Sequence, residues 1–205
     1  MNEKARMDSI RAFLSKLIHN QRMKHPFLIV TALLFCSPSF SAEEVQIKMI
    51  STDLNGEKFE IPDSKTIVQV APNSKVKIEY KTKVETIELI KGMVRTRVLK
   101  QNKKKDNEPK LILKTGSAIM GVRGTDFLAI TTPVLDESEI IVFEGKVDFS
   151  SRIDQKDSKQ VAAGQWGGIG GRFGMRIHDL INLPKTALDH FDKASSVGEE
   201  AQKGN

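Results

Sequence analysis

The chain has 205 residues, enough for one domain or at most two. Its 32 Lys and Arg outnumber its 26 Asp and Glu, giving a net charge of +6 and a sequence pI near 9.3. A single Cys excludes a disulfide framework or a Cys-based zinc site, and 39% hydrophobic residues exclude a polytopic membrane protein and a generally disordered chain.

The first element is not a domain. Lys24 and His25 form a short positive region, Phe27 to Phe35 an apolar core, and Ser37 to Ser41 a stretch of small or helix-breaking residues. This is the layout of a secretory signal peptide, with Ser39 and Ser41 at the −3 and −1 positions of a cut after Ser41. Either translation begins at Met23, or residues 1–22 extend the positive region. A spanning helix needs roughly 20 apolar residues, about twice this run, which disfavours an uncleaved anchor. Cys36 follows the bulky Phe35, which disfavours lipidation. Cleavage leaves Ala42 as the first residue and no stable membrane span.

From Val45 to about Ile169 the apolar residues mostly alternate, as in half-buried strands. The segments 45–50, 58–61, 66–70, 75–81, 87–90 and 93–98 come first. The segments 111–115, 118–122, 125–131, 139–143, 146–150 and 159–162 follow. Turn residues such as Asn55-Gly56 separate them, Lys100–Lys110 forms a polar loop, and Asp136 to Ser138 a hairpin tip. Many short strands without intervening helices predict an all-β domain over 42–175, as a compact β-roll, short β-helix or sandwich-like unit. The tail 176–205 then carries a short helix over Pro184–Ala194, with Ala187, Leu188 and Phe191 on one face. Its polar end, Ser195–Asn205, is expected to fray.

One run, Leu113 to Phe127, reads LKTGSAIMGVRGTDF. Gly121 and Gly124 bracket Val122 and Arg123, which predicts a tight bend where a Cβ would clash. Arg123 is expected to be held by a carboxylate, Asp126 or Glu144; a ligand site centred on Arg123 is the alternative. Thr125 should bond to turn backbone, and Phe127 should enter the core. Gly145 and Gly164 read as turn glycines. Together with Ile87 to Arg95 upstream, Val142 to Val147, and Ala163-Gly164-Gln165, this run resembles the signature of the FecR domain family, over about residues 66–165. The resemblance implies an all-β bacterial envelope domain outside the cytoplasmic membrane. The best-known members are membrane-bound regulators that relay a signal from an outer-membrane transporter to a sigma factor. They carry a cytoplasmic helical segment before a membrane helix. This chain has only about 22 residues before its short apolar run, and in that it is more similar to secreted, stand-alone members.

Catalytic and metal patterns are weak. Only His178 and His190 lie beyond residue 41, without a carboxylate cluster between them. No cofactor is implied. Gly164 to Gly174 concentrates six of the fourteen glycines but matches no phosphate-cradling motif. It reads either as a strand exit from the β domain or as a loop showing Trp166, Arg172 and Phe173 to a partner. Lys77, Arg95 and Arg97 are placed on the polar side of their strands, in a stretch (75–114) with thirteen Lys and Arg against five Asp and Glu. That side is either a solvated face or a patch for an acidic envelope protein or anionic envelope polymer. Nucleic acid is disfavoured, because six of the basic residues fall before residue 42. The resulting expectation is a non-catalytic periplasmic or secreted module that binds, signals or scaffolds. A membrane-anchored regulator and an enzyme acting on cell-wall glycan are the alternatives.

Overall fold

The computed structural model describes residues 44–99 and 109–197, with Arg172 described by its backbone alone. The expected signal segment, most of the polar loop and the last eight residues lie outside the described residues. Those described belong to one compact unit, Glu43–Asn205.

The alternating segments form strands in chain order: β1 (Gln46–Ser51), β2 (Glu57–Glu60), β3 (Ile67–Val70), β4 (Lys75–Tyr80), β5 (Glu85–Arg97) and β6 (Leu111–Lys114). Then come β7 (Ala118–Val122), β8 (Asp126–Thr132), β9 (Glu137–Glu144), β10 (Lys146–Ser151), β11 (Ser158–Ala162), β12 (Gln165–Ile169) and β13 (Ile181–Asn182). A 3-10 turn at Gly171–Phe173 precedes β13, and one helix, α1 (Lys185–Ser195), follows it. The all-β class with a short C-terminal helix is therefore correct.

All the strands join in one curled sheet. Strand β5 makes the curl possible. Its first half pairs with β4 and β6, and its second half pairs with β3 and β8. Sequence patterning splits β5 into two strands, but the chain runs through, bending at Gly92 with φ +89. Any Cβ there would lie 2.3 Å from Ser74 Oγ, so only glycine fits the bend. Leaf A thus runs β1-β4-β5-β6-β7-β10-β11, and leaf B runs β2-β3-β5-β8-β9-β12-β13.

Both leaves turn their apolar side chains into one core. Ile78, Ile87, Met120 and Phe149 come from leaf A, and Val68, Val94, Phe127 and Val142 from leaf B. Leaf A shows the alternation of a sheet with one open face: Val147 and Phe149 are buried, while Lys146 and Asp148 are exposed. Leaf B does not alternate. Asp126 to Ala129 are all buried, as are Ile140 to Val142. Its outer face must also be covered, and α1 covers it.

The residues under that cover form a row across the strands. Register pairs Gln69 with Arg95, Arg95 with Leu128, Leu128 with Ile141, and Ile141 with Trp166. Directly opposed residues share a face. Leu128 and Ile141 are fully buried without belonging to the central core. The chain leaves edge strand β13 and returns over this row. Leu188 sits beside Gly164, and the Gln69 amide reaches the Val197 carbonyl at 3.4 Å.

Candidate functional site

The predicted basic face divides between the two leaves. Lys77 is half-buried on leaf A and pairs with Glu79 at 2.6 Å. Arg95 belongs to leaf B and is only 4% exposed, so it is no part of a solvated surface. Arg97 lies near it and is exposed. Alternation placed Arg95 on the outward side correctly. It could not show that the outward side has a lid.

Arg95 is the centre of a buried polar node. Its Nε and Nη2 donate to the two oxygens of Asp126 at 2.9 and 3.0 Å. Its Nη1 reaches the Asp192 carboxylate at 2.6 Å and the hydroxyl of Ser196 at 3.2 Å, both at the end of α1. The guanidinium also lies over the Phe143 ring, 4.4 Å from its centre. Burial works against the charge, but the Asp126 and Asp192 carboxylates outweigh it and hold the Arg95 pKa above its usual value. Arg97 Nε shares Asp126 at 3.0 Å. A fork-to-carboxylate pair satisfied on all sides suits a buried latch, here holding the tail helix on leaf B. Ser195, expected at the start of a frayed end, is 2% exposed and accepts from Arg95 Nη1.

The signature run bridges the two leaves. Val122 ends β7 on leaf A, Gly124 turns with φ +65, and Asp126 starts β8 on leaf B. Phe127 enters the core as expected. Asp126 does not hold Arg123; Arg95 and Arg97 take it, and Arg123 stands exposed. Thr125 is buried with its hydroxyl bonded to no described residue, against the expected turn bond. Its methyl instead packs at Gly145, where a Cβ would come within 2.4 Å of it. Gly145 and Gly164 take φ of +84 and +80, the geometry of turn glycines. Glu144 is exposed and pairs in register with Asp126.

The glycine-rich run is a strand followed by a tight turn. Its first half is β12, with Gly167 and Gly168 buried beside Leu180 and the Trp166 and Phe173 rings. Trp166 donates its indole N–H to Glu139 at 2.9 Å and meets Phe173 edge-on at 5.2 Å. The ring is held to the sheet, half-buried, rather than displayed on a mobile tip. Arg172 lies in the 3-10 turn. His178 is near Phe173 and His190 near Phe191, and no group of residues fit to hold a metal ion occurs among the described residues.

Among the described residues, leaf A's outer face is uncovered. A groove of about 750 Å³ runs over β6, β7, β10 and β11, and Ile119, Gly121, Arg123, Gly145, Lys146 and Asp148 help to line it. Two signature elements therefore meet at one groove. Gly121 is the informative residue. It is absent from the positive-φ glycines, and a Cβ on it would meet nothing closer than 3.7 Å. Neither backbone strain nor crowding explains a glycine in mid-strand. A strand glycine of this kind leaves room for close approach by another backbone or a ligand. The exposed Arg123 and Lys146 put positive charge at one end.

In sequence, residues 49–148 match the FecR protein family. The chain carries a FecR domain. The match runs from the middle of β1 to the middle of β10 and includes the groove-lining glycines. No curated protein matches the chain. Among solved structures, two crystal structures of a candidate anti-sigma factor from Parabacteroides distasonis ATCC 8503 share the fold. One aligns with a TM-score of 0.58 at 15% identity, over 71% of this chain and 64% of that one. The other aligns with a TM-score of 0.55 at 15% identity, over 70% and 64%. This chain thus spans somewhat less than two thirds of those proteins' length. No helix among the described residues is long and apolar enough to cross a membrane.

Proposed function

We propose that this FecR-domain chain is a non-catalytic binding and signalling module of the bacterial cell envelope. Its N-terminal segment directs export, and it reads an acidic, extended stretch of an envelope protein through the Arg123 groove. The observation that carries the groove reading is Gly121, a strand glycine that no contact with the described residues requires, with exposed Arg123 and Lys146 nearby. The FecR match and the anti-sigma description of the fold's neighbours favour regulation over scaffolding. Arg95, Arg97 and Trp166 leave the binding surface, because each is committed to holding leaf B.

Two measurements test this. Mass spectrometry of the native protein should find Ala42 as the first residue; an intact N-terminus in the membrane fraction would replace the exported module with an anchored regulator. Envelope capture with the wild type should yield a salt-sensitive protein partner that Arg123→Glu with Lys146→Glu loses and Arg97→Glu keeps. Capture unchanged by the double substitution overturns the groove reading, as does recovery of an anionic polymer in place of a protein.

A further inference from the structure

A curled sheet that does not close ends in strands with one side unpaired, and such an edge is a template for another strand. Among the described residues, β1, β2, β11 and β13 each have a single partner strand. Three of these edges are blunted. Strand β13 is two residues long, β2 exposes Lys58 and Glu60, and β11 exposes Ser158 and Gln160. Strand β1 is six residues long and is not blunted. Val45, Ile47 and Met49 are 51%, 59% and 50% exposed, and their spacing puts them on one face. Lys48 points to the other face, where it pairs with Glu57 at 3.0 Å and lies over the Phe59 ring. The exposed stripe therefore lacks the charge that protects an edge.

The backbone of β1 is set for pairing as well. The Thr52 N–H donates to the Ser74 carbonyl at 2.9 Å, and the register continues unbroken from Ser51 opposite Lys75 to Gln46 opposite Tyr80. Bonded pairs alternate along an antiparallel ladder, so Ile50, Lys48 and Gln46 bond to β4. Val45, Ile47 and Met49 then aim their N–H and C=O groups at the free edge. No described residue pairs with that edge.

We infer that β1 pairs antiparallel with β1 of a second copy of this chain, across a two-fold axis at Ile47. That register sets Ile47 opposite Ile47 and Val45 opposite Met49, so every member of the stripe meets an apolar residue. Gln46 then faces Lys48, and Glu44 lies diagonal to Lys48 of the other copy, which brings opposite charges within reach. An axis at Lys48 opposes two ammonium groups, and an axis at Met49 sets Ile47 against Ser51. Of the three, the Ile47 axis alone matches both the apolar and the charged residues. The contact is the same patch on both copies, so the assembly closes as a dimer rather than growing into a fibre. In a chain cut after Ser41, only Ala42 and Glu43 precede Glu44, too few residues to run along the edge themselves.

The test uses the chain from Ala42, which holds the whole compact unit and has no cysteine. It depends on neither export nor the Arg123 groove, so each reading can fail alone. Velocity sedimentation should show a reversible monomer–dimer equilibrium with a dissociation constant below about 1 mM. Ile47→Lys, at an exposed position, should weaken it at least tenfold, while Arg123→Glu leaves it unchanged. Oxidation reads the register. Ile47→Cys should cross-link two copies, because opposed bonded residues stand about 5.5 Å apart. Ser51→Cys should not, since at about 3.4 Å per residue it lies ~27 Å from its mate. No dimer below about 1 mM, a dimer indifferent to Ile47→Lys, or Ser51→Cys linking as fast as Ile47→Cys would overturn the proposal. So would a monomer whose β1 amides gain exchange protection only with an added envelope protein, which would give the edge to that partner.

Discussion

Among the described residues, leaf B buries its outer face under a helix while leaf A leaves its outer face open, and two arginines record the difference. Arg95 on leaf B has both faces of its strand covered, and its charge is spent on Asp126 and Asp192. Arg123 at the edge of leaf A is exposed beside an open groove. They belong to the same domain and sit near the same signature run, yet one is architecture and the other is available. The lesson is that charge counts along a strand do not locate a binding face. Whatever else the chain lays over that strand decides it.

Breaking leaf B's latch should have the largest effect. Asp126→Ala leaves Arg95 buried without its main partner, and removing one member of a buried pair costs about 3–5 kcal/mol. Urea unfolding should show this loss, and a cost below about 1 kcal/mol would mean that the pair is not a latch. Asp192→Ala is milder. Its side chain is 54% exposed, and Arg95 keeps Asp126, so the expected loss is about 1 kcal/mol. That loss should be accompanied by faster hydrogen exchange in α1 but not in β7 or β10. Equal change in both leaves would show that the helix is not held separately.

Much of the architecture was legible because it rests on local alternation. Val76, Ile78 and Tyr80 mark β4, and Ala118, Met120 and Val122 mark β7. The helix was legible from Ala187, Leu188 and Phe191. Where it docks was not, although a trace existed: Phe127-Leu128-Ala129 and Ile140-Ile141-Val142 are continuous apolar runs, the mark of strands covered on both faces. Strand β12 was missed because glycines carry no alternation, and the packing that requires them at Gly167 and Gly168 is non-local. The pairing of Asp126 with Arg95 was missed for the same reason, since it depends on the register of β5 against β8. The signature residues themselves are legible, but of the two carboxylates offered for Arg123, Asp126 and Glu144, Asp126 is held by Arg95.

The opposite result is expected on leaf A. Gly121→Ala adds a methyl where the backbone is ordinary and the nearest atoms stand 3.7 Å or more away. Removing a strand glycine should raise stability by roughly 0.5–1 kcal/mol, while the filled groove binds its partner more weakly. A variant that unfolds more easily would mean that Gly121 serves the fold, and the groove would lose its principal support.

The smallest effect falls at Glu85 and appears as a slope. Burial raises its folded pKa above the value in the unfolded chain. Between those two values the folded state holds more protons than the unfolded state, so stability falls as pH rises through that window. The contribution of Glu85 is thus fully present below the ordinary carboxylate pKa and lost once pH passes the raised one. Glu85→Gln should flatten this part of the stability curve, above the ordinary carboxylate pKa, while leaving the acid limit nearly unchanged. If the wild type and Glu85→Gln lose stability in parallel over that range, the carboxyl is not the group that titrates. The slope therefore measures what burying the ionised Glu85 carboxylate costs the fold, a cost that the neutral amide of Glu85→Gln does not carry at any pH.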